Sequence, residues 1–218
     1  AIGVGATKFS DILNYTSLQS GQATSYLKRL IDLKVIKREV PVTEKLAVKS
    51  KMGLYFINDN FIRFYFTCFY PYQNFVETAN FSAFLESTKE TIQSILAKTY
   101  EEVSKEIVTG LMGKNGLPNF EKLGRWWNGK EEIDLVGLCE REDTMLFVEV
   151  KYTTRPLNYR HYIELVDKAK RVKWGKGREA GKKIFMLISK SGFEPVAKEK
   201  LLRDGVVLVE EDTMTPKP

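Results

Sequence analysis

Residues 131–151, EEIDLVGLCEREDTMLFVEVK, read as two strands, Glu131 to Glu140 and Asp143 to Tyr152, joined by a two-residue turn at Arg141 and Glu142. Such a turn sets the register, so positions whose numbers sum to 283 stand opposite each other. Asp134 then faces Glu149, and Glu132 faces Lys151. Side chains alternate across a strand, so these four share one face with Val136, Leu138, Met145 and Phe147, while Ile133, Leu135, Val148 and Val150 line the other. Apolar residues on both faces imply a sheet covered on both sides. Three acids and a lysine at its end are charges set beside a core.

Two carboxylates at cross-strand distance repel unless a cation or the lysine neutralises them. Oxygen ligands of this kind suit Mg²⁺ or Mn²⁺, which polarises a phosphate and lowers the pKa of a bound water. Lys151 is placed to orient that water or to offset charge on the phosphorane. An isolated Glu-x-Lys on a strand is common as a solvated ion pair. Its conjunction with Asp134, the register and the element order is what points to chemistry.

Working outward, the sequence predicts a helix from Tyr100 to Leu111 and a strand from Lys122 to Trp127 ahead of the hairpin. After it come a helix from Tyr159 to Lys173, a strand from Lys182 to Ser189, a helix from Pro195 to Asp204 and a strand from Val206 to Glu210. That order is α/β: αβββαβ with an appended αβ.

Toward the N-terminus, Phe9, Ile12 and Leu13 mark a short helix. A second helix starts from Ser20 as N-cap and carries Ala23, Tyr26, Leu27, Leu30, Ile31 and Leu33 at helical spacing. Strands Val35 to Val42 and Leu54 to Ile57 flank a loop with Lys45, Lys49 and Lys51. Helix, turn, helix and a hairpin with a basic tip form a winged helix. Asp59 caps an aromatic helix that Pro71 closes, and helical periodicity resumes from Phe81 to Leu111 with a break. The chain thus divides into a winged-helix domain over 1–58, a helical connector over 59–98, the α/β domain over 99–212 and a tail over 213–218.

Composition narrows the chemistry. The chain has 218 residues, 43% of them hydrophobic, and a net charge of +6, which describes a folded basic protein. His161 is its only histidine, and Cys68 and Cys139 its only cysteines, so no zinc-finger spacing exists and a serine or cysteine triad has one histidine to recruit. His161 reads as an ordinary helix residue rather than a catalyst. The most apolar run, Phe61 to Tyr72, is too short for a bilayer, and no signal peptide opens the chain, so a soluble cytoplasmic protein with no membrane partner is expected. Gly175 to Lys183 lacks Walker spacing, so no ATP site is expected. Without an initiator methionine, the sequence is expected to be a fragment of a longer chain.

Residues 26–51 carry eight basic and three acidic side chains, a net of +5, and the second helix offers Gln22, Thr24, Ser25, Lys28 and Arg29 to DNA phosphates. Residues 159–183 carry a net of +6 and include Trp174, either a phosphate-tracking patch or a solvated helix face. Arg125 is a further candidate phosphate contact, with a structural ion pair as the plainer role. Of Trp126 and Trp127, one belongs in the core and the other near the site.

Asp134 followed by Glu149-Val150-Lys151 resembles the D…ExK signature of the PD-(D/E)xK nuclease superfamily, whose fold is αβββαβ. More specifically, Lys49-Ser-Lys…Asp59-Asn-Phe-Ile-Arg-Phe, Gly124-Arg-Trp-Trp, Glu132-Ile-Asp and Phe147-Val-Glu-Val-Lys are similar to the C-terminal region of the archaeal AAA-type ATPase family. The resemblance implies a restriction-endonuclease-like domain over 99–212, metal held by Asp134 and Glu149 with the Val150 carbonyl, and catalysis by these with Lys151. It also implies an attached N-terminal P-loop ATPase domain. The family's aromatic-Glu pattern falls on Tyr100-Glu101 and adds Glu101 to the site. Helical geometry, with Ile92, Leu96, Tyr100, Val103 and Ile107 buried, favours Glu106 instead. The expected function is DNA binding with Mg²⁺-dependent phosphodiester hydrolysis. The alternative is a catalytically silent DNA- or protein-binding module that targets an attached ATPase.

Overall fold

The computed structural model describes residues 1–114, 116–174 and 181–210. The expected tail over 213–218, and residues 175–180 of the glycine-containing loop, lie outside the described residues. The fold is mixed α/β, and the chain forms two compact units: residues 1–40 with 46–99, and residues 41–45 with 100–218.

In the first unit, α1 (Phe9–Thr16) and α2 (Ser20–Asp32) precede a two-stranded antiparallel hairpin, β1 (Ile36–Glu39) and β2 (Leu54–Ile57). Ile12 of α1, Leu27 of α2 and Ile36 of β1 bury together as a small core. The N-cap of α2 is Gln19 rather than Ser20. The Gln19 side chain accepts from the N3 backbone and Gln22 reaches back to the Gln19 amide, a reciprocal cap that Ser20 was expected to supply alone. Between the strands, the Arg38 guanidinium donates to the carbonyls of Ala47 and Ser50 and fixes the loop.

The Asp59 carboxylate caps α3 (Asn60–Phe64) by accepting from the Ile62 amide. Pro71 does not end one smooth helix as expected. The path widens to a π turn over Tyr65–Phe69, tightens to a 3-10 turn over Tyr70–Tyr72 and resumes as α4 (Gln73–Glu77). Proline has no N–H to return to the preceding turn, so the hydrogen-bond spacing changes there. The break expected after Phe81 is absent: α5 runs unbroken over Phe81–Leu111.

The second unit is built on one mixed sheet, ordered β3 (Lys122–Trp127), β4 (Glu132–Cys139), β5 (Thr144–Lys151), β6 (Lys182–Ser189) and β7 (Val207–Glu210). The first two pairings are antiparallel, and β5, β6 and β7 run parallel through α6 (Tyr159–Ala169) and α7 (Pro195–Arg203). Leu165, Ala169 and Leu201 from these helices cover one face, over Val136, Leu138, Met145 and Phe147. Val108 of α5, with Leu117 and Phe120, covers the other, over Leu135, Leu146, Val148 and Val150.

As far as Leu135↔Val148 the β4–β5 register is the one the turn dictates, with Val136↔Phe147, Leu138↔Met145 and Cys139↔Thr144, but the expected Asp134↔Glu149 pair is not formed. One departure matters for the site. Between β3 and β4 the pairing goes from Gly124↔Val136 to Trp126↔Ile133, so β3 advances two residues while β4 advances three. Asp134 and Leu135 therefore stand opposite Arg125 alone, a β-bulge. It carries Ile133 to the side of Val136 and Phe147, contrary to strict alternation.

Candidate active site and nucleic-acid interface

Asp134, Glu149 and Lys151 come together at the end of β4 and β5. The β4–β5 ladder stops at Leu135↔Val148, and beyond it Asp134 Oδ2 accepts the Val150 amide at 2.7 Å in place of a strand carbonyl. The side chain thereby satisfies a backbone donor that the bulge would otherwise orphan. Glu149, 6% exposed, points to the α6 side of the sheet. Its Oε1 accepts from Lys151 Nζ at 2.5 Å, and its Oε2 from Lys168 Nζ at 3.1 Å.

The electrostatics follow from this crowding. Burial and the Glu149 charge beside it push the Asp134 carboxyl up to about 7, against the Val150 hydrogen bond, which favours the ionised form. Glu101 adds to the repulsion, and Lys151 opposes it. Burial works to lower the Lys151 ammonium, but the charge and hydrogen bond of Glu149, with the charges of Asp134 and Glu101, together outweigh it, so Lys151 is held above its ordinary value.

Glu101 is half-buried and Glu106 is exposed: α5 is turned part of the way from the face inferred from periodicity, with Tyr100 and Ile107 packed on the core as expected and Val103 exposed. The buried stripe runs through Ser104 and Val108, whereas Val103 is 42% exposed. Placing the small Ser104 inward turns Glu101 toward the sheet end. Its charge bears on both Asp134 and Lys151. Glu132 does not face Lys151: the bulge takes it out of that row, and its carboxylate accepts from Arg125 at 2.8 Å. Arg125 also lies 5.7 Å over the Trp127 ring, beside the ion pair anticipated for it. Trp126 is in the core.

Lys168 was not anticipated. It is three residues after Leu165 and one before Ala169, both buried, which sets it at the edge of the inward face of α6. That spacing was the available signal. His161, half-buried, makes a local contact between Nδ1 and the Asn158 carbonyl.

Two carboxylates, Asp134 and Glu149, are the hard oxygen donors on offer to a divalent cation. They fit one in a specific sense: Asp134 is pushed up first by burial and then by the Glu149 charge, and an ion between the two carboxylates would relieve that second, repulsive part. Among the described residues, no group of three or more His, Cys, Asp or Glu is arranged to hold a metal.

On α2, Gln22, Thr24, Ser25, Lys28 and Arg29 are all exposed, opposite the buried Ala23 and Leu27. Gln22 is engaged in the cap, and the Thr24 hydroxyl donates to the Ser20 carbonyl at 2.8 Å. Lys28 and Arg29 are the charged side chains of this face. Just after α6, in the basic stretch, Lys170 is paired with Asp167, and Arg171 with Glu131. Among the described residues, no helix is long and apolar enough to cross a membrane.

An uncharacterized protein of Methanocaldococcus jannaschii, MJECL04, is 41% identical over 153 residues, covering 70% of this chain and 34% of its own length. The chain thus spans about a third of that relative. A crystal structure of protein VC1899 from Vibrio cholerae aligns with 90% of this chain and 40% of its own, at 11% identity and a TM-score of 0.29, too slight a likeness to carry weight. Across residues 65–165, which hold α5, Asp134, Glu149 and Lys151, the chain matches the family DUF234, described as archaea bacterial proteins of unknown function.

Proposed function

We propose that this chain binds DNA and hydrolyses phosphodiester bonds with a divalent cation, Mg²⁺ or Mn²⁺, at the Asp134–Glu149–Lys151 site. The observation that carries the reading is the meeting of Asp134, Glu149 and Lys151 at one end of the sheet, with Asp134 Oδ2 accepting the Val150 amide at 2.7 Å and Glu149 Oε1 accepting from Lys151 Nζ at 2.5 Å. Folding two carboxylates together at a sheet end costs stability, and such costs concentrate at functional sites.

Asp134 and Glu149 would hold the cation together with the Val150 carbonyl. Once bound, the cation supplies a polarised phosphate and a water of lowered pKa. Lys151, fixed on Glu149 at 2.5 Å, orients the attacking water and offsets charge on the phosphorane. Glu101 assists through its charge on Asp134 and Lys151. Lys28 and Arg29 contact phosphates from α2, in the manner of a winged helix, with Gln22, Thr24, Ser25 and Arg125 as lesser candidates. The PD-(D/E)xK assignment of the sheet unit, and an attached P-loop ATPase domain, rest on the sequence resemblance.

Linear, branched and single-stranded DNA incubated with Mg²⁺ or Mn²⁺ tests this. Nicking is expected in the wild type and is lost in Asp134→Asn and Glu149→Gln. Nicking that persists in Asp134→Asn overturns the assignment. The catalytically silent binding module has its own observation: Glu149 is clasped by two ammonium groups, a carboxylate already neutralised without metal. Absence of nicking together with absence of metal-induced stabilisation selects that module.

A further inference from the structure

The cations of α6 and the turn that follows it fall into two groups. Arg160 pairs with Glu164, Lys170 with Asp167, and Arg171 with Glu131, all on the solvent side. Lys168 turns inward instead, anchored by Leu165 and Ala169 on either side, and lays its ammonium 3.1 Å from Glu149 Oε2 and 3.4 Å from Oε1. About a quarter of its side chain still meets solvent. Glu149 already has Lys151 at 2.5 Å, so one carboxylate holds two ammonium groups, the second at longer distances.

We infer that Lys168 is the residue of this site that receives the substrate's phosphate, an inference that rests on the proposed hydrolytic function. The charge balance carries it. Asp134, Glu149 and Glu101 set against Lys151 and Lys168 leave one net negative charge when all are ionised. A divalent cation turns that into one net positive charge, the complement of a phosphodiester. Without Lys168 the loaded site would be neutral.

Geometry separates the two lysines. Lys151 shares β5 with Glu149, two residues along, so its backbone is fixed by the sheet. Lys168 reaches across from a helix on a four-carbon arm. A cation that takes Glu149 repels both ammonium groups, and the longer-held, partly exposed one is the one free to turn. Turned that way, its ammonium would be open to solvent and to a phosphate oxygen of the substrate.

The test measures binding of a short DNA duplex to the full chain with and without Ca²⁺, used in place of Mg²⁺ so that binding is read without cleavage. Ca²⁺ affinity is measured separately by calorimetry. Wild type is compared with Lys168→Met, Lys168→Arg and Lys151→Ala. Lys168→Met is expected to bind Ca²⁺ at least as tightly as wild type, because an ammonium competing for Glu149 is gone. The same variant is expected to lose about tenfold of the Ca²⁺-dependent gain in DNA affinity, the scale of one charge-assisted hydrogen bond. Lys168→Arg is expected to keep the gain. Should the methionine variant fail to fold, Lys168→Gln keeps a hydrogen bond to Glu149 and is read in the same way. A full gain in Lys168→Met, with the loss appearing only in Lys151→Ala, overturns the inference and leaves the hydrolytic proposal standing. A wild type that neither binds Ca²⁺ nor gains DNA affinity removes both.

Discussion

Removing the charge of Asp134 should change how stability responds to pH, in a direction the site's electrostatics fix. Below pH 3.8 the carboxyl is protonated in the folded and unfolded chain alike and has no effect on stability. Between 3.8 and about 7 the unfolded chain releases the proton and the folded chain keeps it, so stability falls as pH rises. Above about 7 the loss is complete, on the order of 4 kcal/mol, accumulated at about 1.4 kcal/mol per pH unit inside the window. Lys151, held above its ordinary 10.5, titrates outside this window, and its stabilisation is lost only as pH rises through that higher value. Asp134→Asn keeps an oxygen for the Val150 amide and removes the charge. Other carboxylates titrate in both proteins, so the difference between them isolates Asp134. All three tryptophans, Trp126, Trp127 and Trp174, lie in the unit that holds the sheet, so urea unfolding followed by tryptophan emission reports on it. Without metal, Asp134→Asn is expected to gain on wild type steadily from pH 4.5 to 7.5, reaching a melting-temperature advantage of about 10 °C at pH 8. Mg²⁺ at pH 8 should raise wild type and leave the variant unmoved. Parallel stability curves for the two proteins from pH 4.5 to 8 would refute the account of a carboxyl held protonated by burial and Glu149.

Glu149→Gln leaves the Lys151 and Lys168 ammonium groups without their carboxylate, and should cost about 1–3 kcal/mol in urea unfolding besides abolishing nicking. Lys151→Ala should reduce the cleavage rate while Mg²⁺-induced stabilisation persists, since its role is toward water and phosphate. Lys28→Ala with Arg29→Ala should lower the slope of log affinity for duplex DNA against log salt by up to about 2, and an unchanged slope removes α2 from the interface. Gly137→Ala would set a Cβ 2.8 Å from the Phe120 ring in the closed core, and a loss of about 1–3 kcal/mol is expected by the same urea assay.

The β4–β5 register was readable because a two-residue turn leaves one alternative, and a slip would have turned Phe147 and Val136 to the wrong face. Helix rotation was less readable. Packing on α5 chose the small Ser104 over the larger Val103, and hydrophobic periodicity alone weights the two in the opposite order. Lys168 depends on how α6 sits on the sheet, a tertiary fact that only its flanking Leu165 and Ala169 foreshadow. At Pro71 a missing donor reads in sequence as a stop, whereas here it is absorbed by a change of helical pitch.

The bulge in β4 left no mark in the sequence: Ile133-Asp134-Leu135-Val136 contains neither glycine nor proline, and its alternation looks intact. Its cause is visible in the hydrogen bonds. Asp134 appears in neither set of paired positions on its two flanks, and its carboxylate takes the Val150 amide that a regular ladder would have given to a carbonyl. The residue that leaves the ladder is therefore the one that repairs it, and the repair brings a carboxylate within reach of Glu149. Structure and chemistry are joined in one side chain, so Asp134→Ala would confound a lost acceptor with a lost charge. Asp134→Asn separates them, because the amide oxygen keeps the Val150 bond while the repulsion, and the affinity for a cation that depends on it, are removed.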